Sequence, residues 1–121
     1  SRITAIDMNT GEHLWMMPTG ETPDRIQNHE ALAGIDVGDT GTGNAVPMVV
    51  TPSLLIYSDV DSDGSTALLY AMDKATGEEL GKIEVPSRSR YGMSSWMHEG
   101  KQYIILQTGS TLTAMALPDS E

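Results

Sequence analysis

The stretch TAIDMNTGEHLW at residues 4–15 returns, altered, as YAMDKATGEELG at residues 70–81. Both copies keep Ala-x-Asp-x-x-Thr-Gly-Glu: Ala5, Asp7, Thr10, Gly11 and Glu12, then Ala71, Asp73, Thr76, Gly77 and Glu78. Apolar residues precede each Asp and follow each Glu, so each copy reads as two strands joined by a tight turn. In such a turn the Asp side chain accepts backbone amides, and Gly takes the left-handed conformation that a short loop with a bulge requires. Trp15 follows on the outgoing strand of the first copy, where a large flat side chain can pack on a neighbouring sheet; Gly81 holds that place in the second. A partial third echo, TAMALP at 113–118, puts Ala114 43 residues after Ala71. That interval is the size of one four-stranded propeller blade. The first interval, 66 residues, is then a blade plus an insertion, which residues 21–43 supply.

The strands follow from the same pattern: residues 3–7, 13–17, 45–50, 54–60, 67–73, 80–85, 93–98, 103–109 and 112–117. Turn signals TPS, DSDGS and EGK separate them. LLIY and YIIL are continuous apolar runs, as expected of strands covered on both faces. The expected fold is all-β, made of antiparallel four-stranded blades of a partial β-propeller. Residues 1–18 give the outer strands of one blade, 19–44 an insertion with a short helix, 45–85 a complete blade, and 92–118 three strands of a last one. An ordinary β-sandwich shares the alternation and turns; the turn that recurs at blade spacing favours the propeller.

Charge and composition narrow the partners. Seventeen acidic against seven basic residues give a net charge of −10, which repels nucleic-acid and anionic-lipid phosphates. With no cysteine among 121 residues, neither disulfides nor a Cys-based zinc site is possible. No apolar run reaches membrane-spanning length, and no leader pattern opens the chain. It begins on SRITAID, already in strand pattern, and reads as a fragment.

Individual motifs offer less. DVDSDG at 59–64 resembles the start of a calcium loop, yet position nine is Ala67 and position twelve Tyr70, neither a ligand. An acidic hairpin turn is the simpler reading, and no metal ligand is assigned. GDTGTGN at 38–44 lacks the Lys and following helix of a phosphate cradle. His13, His29 and His98 are scattered, and no Gly-x-Ser-x-Gly elbow is present. Arg88 and Arg90, beside Tyr91, form the one basic cluster; such residues either solvate a loop or face an anion. Eight Met and no Phe suit irregular gaps between sheets. In TPDRIQNHEALAG (22–34), Thr22 is placed to cap a helix, Pro23 to begin it and Gly34 to end it.

Asp-x-x-Thr-Gly-x-x-x-Trp resembles the tryptophan-docking turn of the pyrroloquinoline quinone (PQQ) dependent dehydrogenases. Residues 2–36 look like a late-blade segment of the membrane-bound glucose, quinate and shikimate branch, and MSSWMHEGKQYIILQTG (93–109) with LTAMALP (112–118) like its C-terminal end. The resemblance covers nearly the whole chain. It implies an eight-bladed propeller with PQQ near the axis, a bridging calcium ion, and oxidation of a glucose-like sugar or an alcohol with electrons passed to quinone. It also implies a periplasmic, membrane-associated full-length enzyme whose catalytic aspartate, calcium ligands and most PQQ contacts lie in earlier blades. No catalytic residue is therefore assigned here, and the chain by itself is expected to be inactive and to hold no cofactor.

By the same resemblance Thr42, Gly43, Asn44, Arg90 and Tyr91 border the cofactor channel, while Asp7, Thr10, Gly11, Trp15, Asp73, Thr76 and Gly77 build the docking turns. Tyr91-Gly92-Met93 stands where the branch usually reads Thr-Pro-Met, and Trp gives way to Gly81. Incomplete blades leave unpaired edges and open faces, so self-association into a homo-oligomer, or docking of the missing N-terminal blades, is expected. The alternative function is a non-enzymatic propeller scaffold of the outer-membrane assembly lipoprotein type, whose blades carry a similar turn.

Overall fold

The computed structural model describes residues 1–116. Nine strands form three antiparallel sheets in chain order. The first pairs β1 (Arg2–Ile6) with β2 (His13–Pro18). The second runs β3 (Met48–Val50), β4 (Leu54–Val60), β5 (Ala67–Asp73) and β6 (Glu79–Glu84). The third runs β7 (Met93–His98), β8 (Lys101–Thr108) and β9 (Thr111–Ala116). This is the 2 + 4 + 3 grouping the sequence predicts, and the fold is that of partial propeller blades. Residues 117–118, where the last strand was expected to end, lie outside the described residues.

The two turn copies match atom for atom. Gly11 donates its amide to Asp7 O at 2.7 Å, and Gly77 to Asp73 O at 2.8 Å. Asn9 and Thr10 donate to Asp7 Oδ1 as Ala75 and Thr76 donate to Asp73 Oδ1. Thr10 Oγ1 accepts from Glu12 N, and Thr76 Oγ1 from Glu78 N, both at 3.2 Å. Each incoming strand carries an irregularity at the same place, between Ala5 and Ile6 and between Ala71 and Met72. Gly11 has φ +75° and Gly77 φ +77°, as the turn demands.

Strands β4 and β5 of the middle sheet are covered on both faces, which explains their continuous apolar runs, while β6 is exposed along its length. Leu55, Tyr57, Tyr70 and Met72 join Ile3 in a core against the first sheet, flanked by Trp15 and Met17. Ile56, Leu69 and Val85 join Ile104 and Leu106 in a second core against the third sheet. Full burial of such a side chain contributes about 1.5–3 kcal/mol. Tyr57 and Tyr70, directly opposite in register, stack with ring centroids 4.8 Å apart. Strands β3 and β7 also touch, as the inner strands of adjacent blades do near an axis.

Trp15 couples the first two sheets. Its ring lies over Gly77, and its indole Nε1 donates to Lys74 O at 3.0 Å. The ring is half-buried rather than enclosed, because it caps the rim of the intersheet seam.

Two expectations are corrected. The segment 22–34 does not form one helix: α1 spans Asp24–Gln27, and a 3₁₀ turn follows at Glu30–Leu32. Thr22 does not cap it, because its hydroxyl donates to Gly38 O and accepts from Thr40 N instead. His29, extended at φ −68° and ψ 134°, separates the turns, and its Nδ1 accepts from Ala31 N. The strand expected at 45–50 forms its ladder only from Met48. Pro47 just before it has no N–H to give, and its carbonyl accepts weakly from Ser58 N at 3.4 Å.

Candidate functional site

Strand alternation places the connections 19–47, 61–66, 85–92 and 109–110 at one end of the three sheets, opposite the docking turns. At that end a groove of ≈ 490 Å³ opens between the insertion, the β4–β5 hairpin and the β6–β7 connection. Arg25, Thr42, Asn44, Arg88 and Arg90 line it together with Asp24, Asp61 and Asp63. Three of the seven cations of an acidic chain therefore meet at one groove. A second groove, ≈ 340 Å³, lies across Arg88 and Arg90 and is completed by Ser87, Tyr91, Gln107 and Gly109.

Two neighbouring residues at the end of β4 fix the loops that shape these grooves. Successive strand side chains point to opposite faces, and Ser58 and Asp59, both 0% exposed, use that alternation. The Asp59 carboxylate accepts from Thr42 Oγ1 at 2.6 Å, Asn44 Nδ2 at 2.9 Å and its neighbour Val60 N at 2.9 Å. A buried carboxylate is tolerated where hydrogen bonds satisfy its oxygens. On the other side Ser58 Oγ accepts from Ser89 N at 3.0 Å, while Ser89 Oγ donates to Gly92 O at 2.9 Å. One short stretch of strand thus pins the 38–44 loop and the 86–92 loop.

Other contacts complete the frame. Asp24 N donates to Ser62 O at 2.9 Å, which ties α1 and Arg25 to the β4–β5 hairpin. Arg88 Nη1 donates to Ala45 O at 3.2 Å, holding that guanidinium between the two loops. Gly20 N donates to Tyr57 Oη at 3.0 Å, and burial pushes the Tyr57 hydroxyl up to about 12.

The DVDSDG stretch is an acidic hairpin turn. Asp59 faces inward, Asp61 Oδ1 accepts from Ser65 N and Thr66 N, and Asp63 Oδ1 accepts from Ser65 N. Desolvation works against ionisation of Asp61, but hydrogen bonds from Thr66 and Ser65 hold its carboxyl below its ordinary value. Among the described residues no three of Asp, Glu, His and Cys come together in a way that could hold a metal ion.

The structure brings Thr42, Asn44 and Arg90 to the first groove, and Arg90 and Tyr91 to the second. Gly43 lines neither; at φ +85° it makes the bend between its two neighbours. Thr42 and Asn44 already spend a hydroxyl proton and an amide on Asp59, so they shape the groove more than they donate into it. Sequence reasoning missed Arg25, and it missed the anchoring role of Ser58 and Asp59. The signal was present: a Ser-Asp pair inside a strand covered on both faces must find partners.

The fold and site define a class: blades of a β-propeller with a cation-bearing groove on the face that carries the interblade connections. The match to known families is more specific. Residues 1–104 match the β-propeller domain of the PQQ-containing glucose/ethanol/alcohol dehydrogenases, and the chain belongs to that family. Comparison with curated proteins and with solved structures returned no match.

Arginines at the first groove can meet the carboxylates of an anionic cofactor, although Asp24, Asp61 and Asp63 on the same walls balance their charge. Guanidinium groups of Arg25, Arg88 and Arg90 supply charge and planar donors, the type of group that recognises carboxylates.

Proposed function

We propose that the chain supplies blades of a quinoprotein dehydrogenase that oxidises a sugar or another alcohol, with the first groove forming part of the PQQ cradle. The observation that carries this reading is the family match over residues 1–104 together with the convergence of Arg25, Arg88 and Arg90 on the connection face. Arg88 and Arg90 hold carboxylates of the cofactor, and Asp59 positions the 42–44 wall beside them. When bound, PQQ supplies a quinone that accepts two electrons from an alcohol carbon. The sequence resemblance supports a glucose-like or sugar-acid substrate, a calcium ion beside PQQ, a quinone as electron acceptor, and a periplasmic setting. The same resemblance places the proton-accepting carboxylate in other blades, so the chain alone has no turnover. Dye reduction with PQQ, calcium and a panel of sugars and polyols, run on a polypeptide that completes the propeller, tests the proposal. The scaffold alternative rests on the docking turn alone, which the dehydrogenases share.

In isolation the chain associates with further copies through its outer sheet faces. Leu14 and Met16 on the first sheet, and Trp96 and Leu112 on the third, are exposed. Stacking these sheets against one another continues the face-to-face packing already seen between the sheets within the chain.

A further inference from the structure

A cleft of ≈ 400 Å³ lies along the seam of the first two sheets and shares no lining residue with either arginine groove. The buried, stacked pair Tyr57 and Tyr70 lies at its base, and Glu21, Asp39, Glu79 and Lys82 stand around it. Three carboxylates against one ammonium leave two negative charges uncompensated there. Lys82 shows what such a place accepts. Its Nζ lies 5.9 Å over the Tyr70 ring and 2.8 Å from Glu21 Oε1, so one ammonium rests on an aromatic face and a carboxylate at once. The hydrogen bond to Glu21 raises the Lys82 pKa against the cost of desolvation, and the charges of Glu21, Glu79 and Asp39 add to it.

The remaining groups are unused. Among the described residues neither Asp39 nor Glu79 has an ion-pair partner. The hydroxyl of Tyr70, a side chain only 1% exposed, has no hydrogen-bond partner, a costly state that a bound donor would relieve. These carboxylates do not converge as metal ligands do, so the cleft suits a cation whose charge is spread over two centres. We propose that it binds a short alkyl diamine. The carboxylates of Glu79 and Asp39 hold the two ammonium groups, the Tyr70 hydroxyl accepts from one of them, and the alkyl chain lies against Met17 and Pro18. None of these residues takes part in the PQQ cradle, so the site is separate from it.

Putrescine, butylamine and butanediol are suitable probes, because they share a four-carbon chain and carry two, one and no ammonium groups. Calorimetric titration of the 121-residue chain at pH 7 should rank their affinities in that order. Putrescine should bind at least about tenfold more tightly than butylamine, the scale of one charge-assisted hydrogen bond, and magnesium ion, equal in charge but without a chain, should bind no better than butylamine. Since the whole chain is acidic, variants of equal charge locate the site. Glu79→Gln should weaken putrescine at least about tenfold, whereas Glu84→Gln, on the same strand but outside the cleft, should change it less than about twofold through screened charge alone. Tyr70→Phe should also weaken putrescine, yet the thermal midpoint of the free chain should hold or rise, because the hydroxyl removed has no bond to lose. No binding of putrescine, equal affinity for putrescine and either butylamine or magnesium, equal losses in the two glutamate variants, or a Tyr70→Phe chain that binds putrescine unchanged or melts earlier would each overturn the proposal.

Discussion

Replacing Gly77 with Ala probes the docking turn, and Gly11 provides the matched control. Both glycines sit at the same place in the same turn, at φ +77° and +75°. Either substitution forces an L-residue into the left-handed region, costing about 1–2 kcal/mol. Around Gly11 a new Cβ meets nothing within 4 Å, so backbone strain is its whole cost. At Gly77 the Cβ falls 2.8 Å from Cδ2 and Cε3 of the Trp15 ring. Real contacts are never that short, so the indole must move and lose its bond to Lys74 O. Overpacking of this kind adds about 1–3 kcal/mol. Gly11→Ala should therefore cost about 1–2 kcal/mol and Gly77→Ala about 2–5 kcal/mol. In a Trp15→Ala background the Gly77→Ala cost should fall to the Gly11 value, since the two residues are coupled. Urea unfolding followed by circular dichroism reads all four variants. Equal costs for the two glycines, or a Gly77→Ala cost unchanged without Trp15, would refute the docking of the first sheet on the second.

Three further outcomes are expected. Asp59→Ala strands the hydroxyl of Thr42 and the amide of Asn44, so it should cost about 3 kcal/mol or more and speed amide exchange at residues 42–44; a cost under about 1 kcal/mol with unchanged exchange contradicts the anchoring role. Burial raises the Tyr57 hydroxyl to about 12 and raises Tyr70 as well, so the native state keeps protons that the unfolded chain loses above its ordinary value near pH 10. Stability is therefore intact below pH 10 and falls as pH rises toward 12, by about 2–3 kcal/mol for Tyr57; a Tyr57→Phe variant with an unchanged alkaline slope contradicts this. Sedimentation equilibrium at micromolar concentration should show species heavier than 13.0 kDa, and a single monomeric species contradicts association through the outer faces.

Much of the fold was legible because a period-two pattern and a repeated turn are strong local signals. Asp7 and Asp73, with Thr10 and Thr76, satisfy the same amides in both copies, so the turn could be read from either. The all-apolar run at β4 signalled cover on both faces, as found, whereas the run at β8 misled: Ile104 and Leu106 are buried against the middle sheet, but Tyr103 and Ile105 lie on the third sheet's outer face and are only half-buried. The 22–34 segment misled because Thr22, Pro23 and Gly34 form a plausible helix frame. What decided the outcome was a distant competitor, since Gly38 and Thr40 claim the Thr22 hydroxyl. The strand and hairpin turn around Asp59 were read as found, but its anchoring role was not. Read along the chain it begins an acidic loop, and only the fold shows Thr42 and Asn44 arriving at its carboxylate. Arg25 entered the groove unseen because a loop bond from Asp24 N to Ser62 O places it there. Contacts between segments far apart in sequence leave no periodic trace.

The reading of the first groove as part of a PQQ cradle is tested most directly by PQQ-dependent dye reduction. The assay compares the 121-residue chain with a polypeptide in which these blades belong to a complete propeller, with and without Arg88→Gln and Arg90→Gln. The predicted result is turnover of a sugar or other alcohol by the complete propeller in PQQ and calcium, none by the chain alone, and a requirement for at least about tenfold more PQQ in the double variant. Turnover by the chain alone, the absence of turnover with every sugar, sugar acid and alcohol tried, or a PQQ requirement indifferent to both arginines would contradict it.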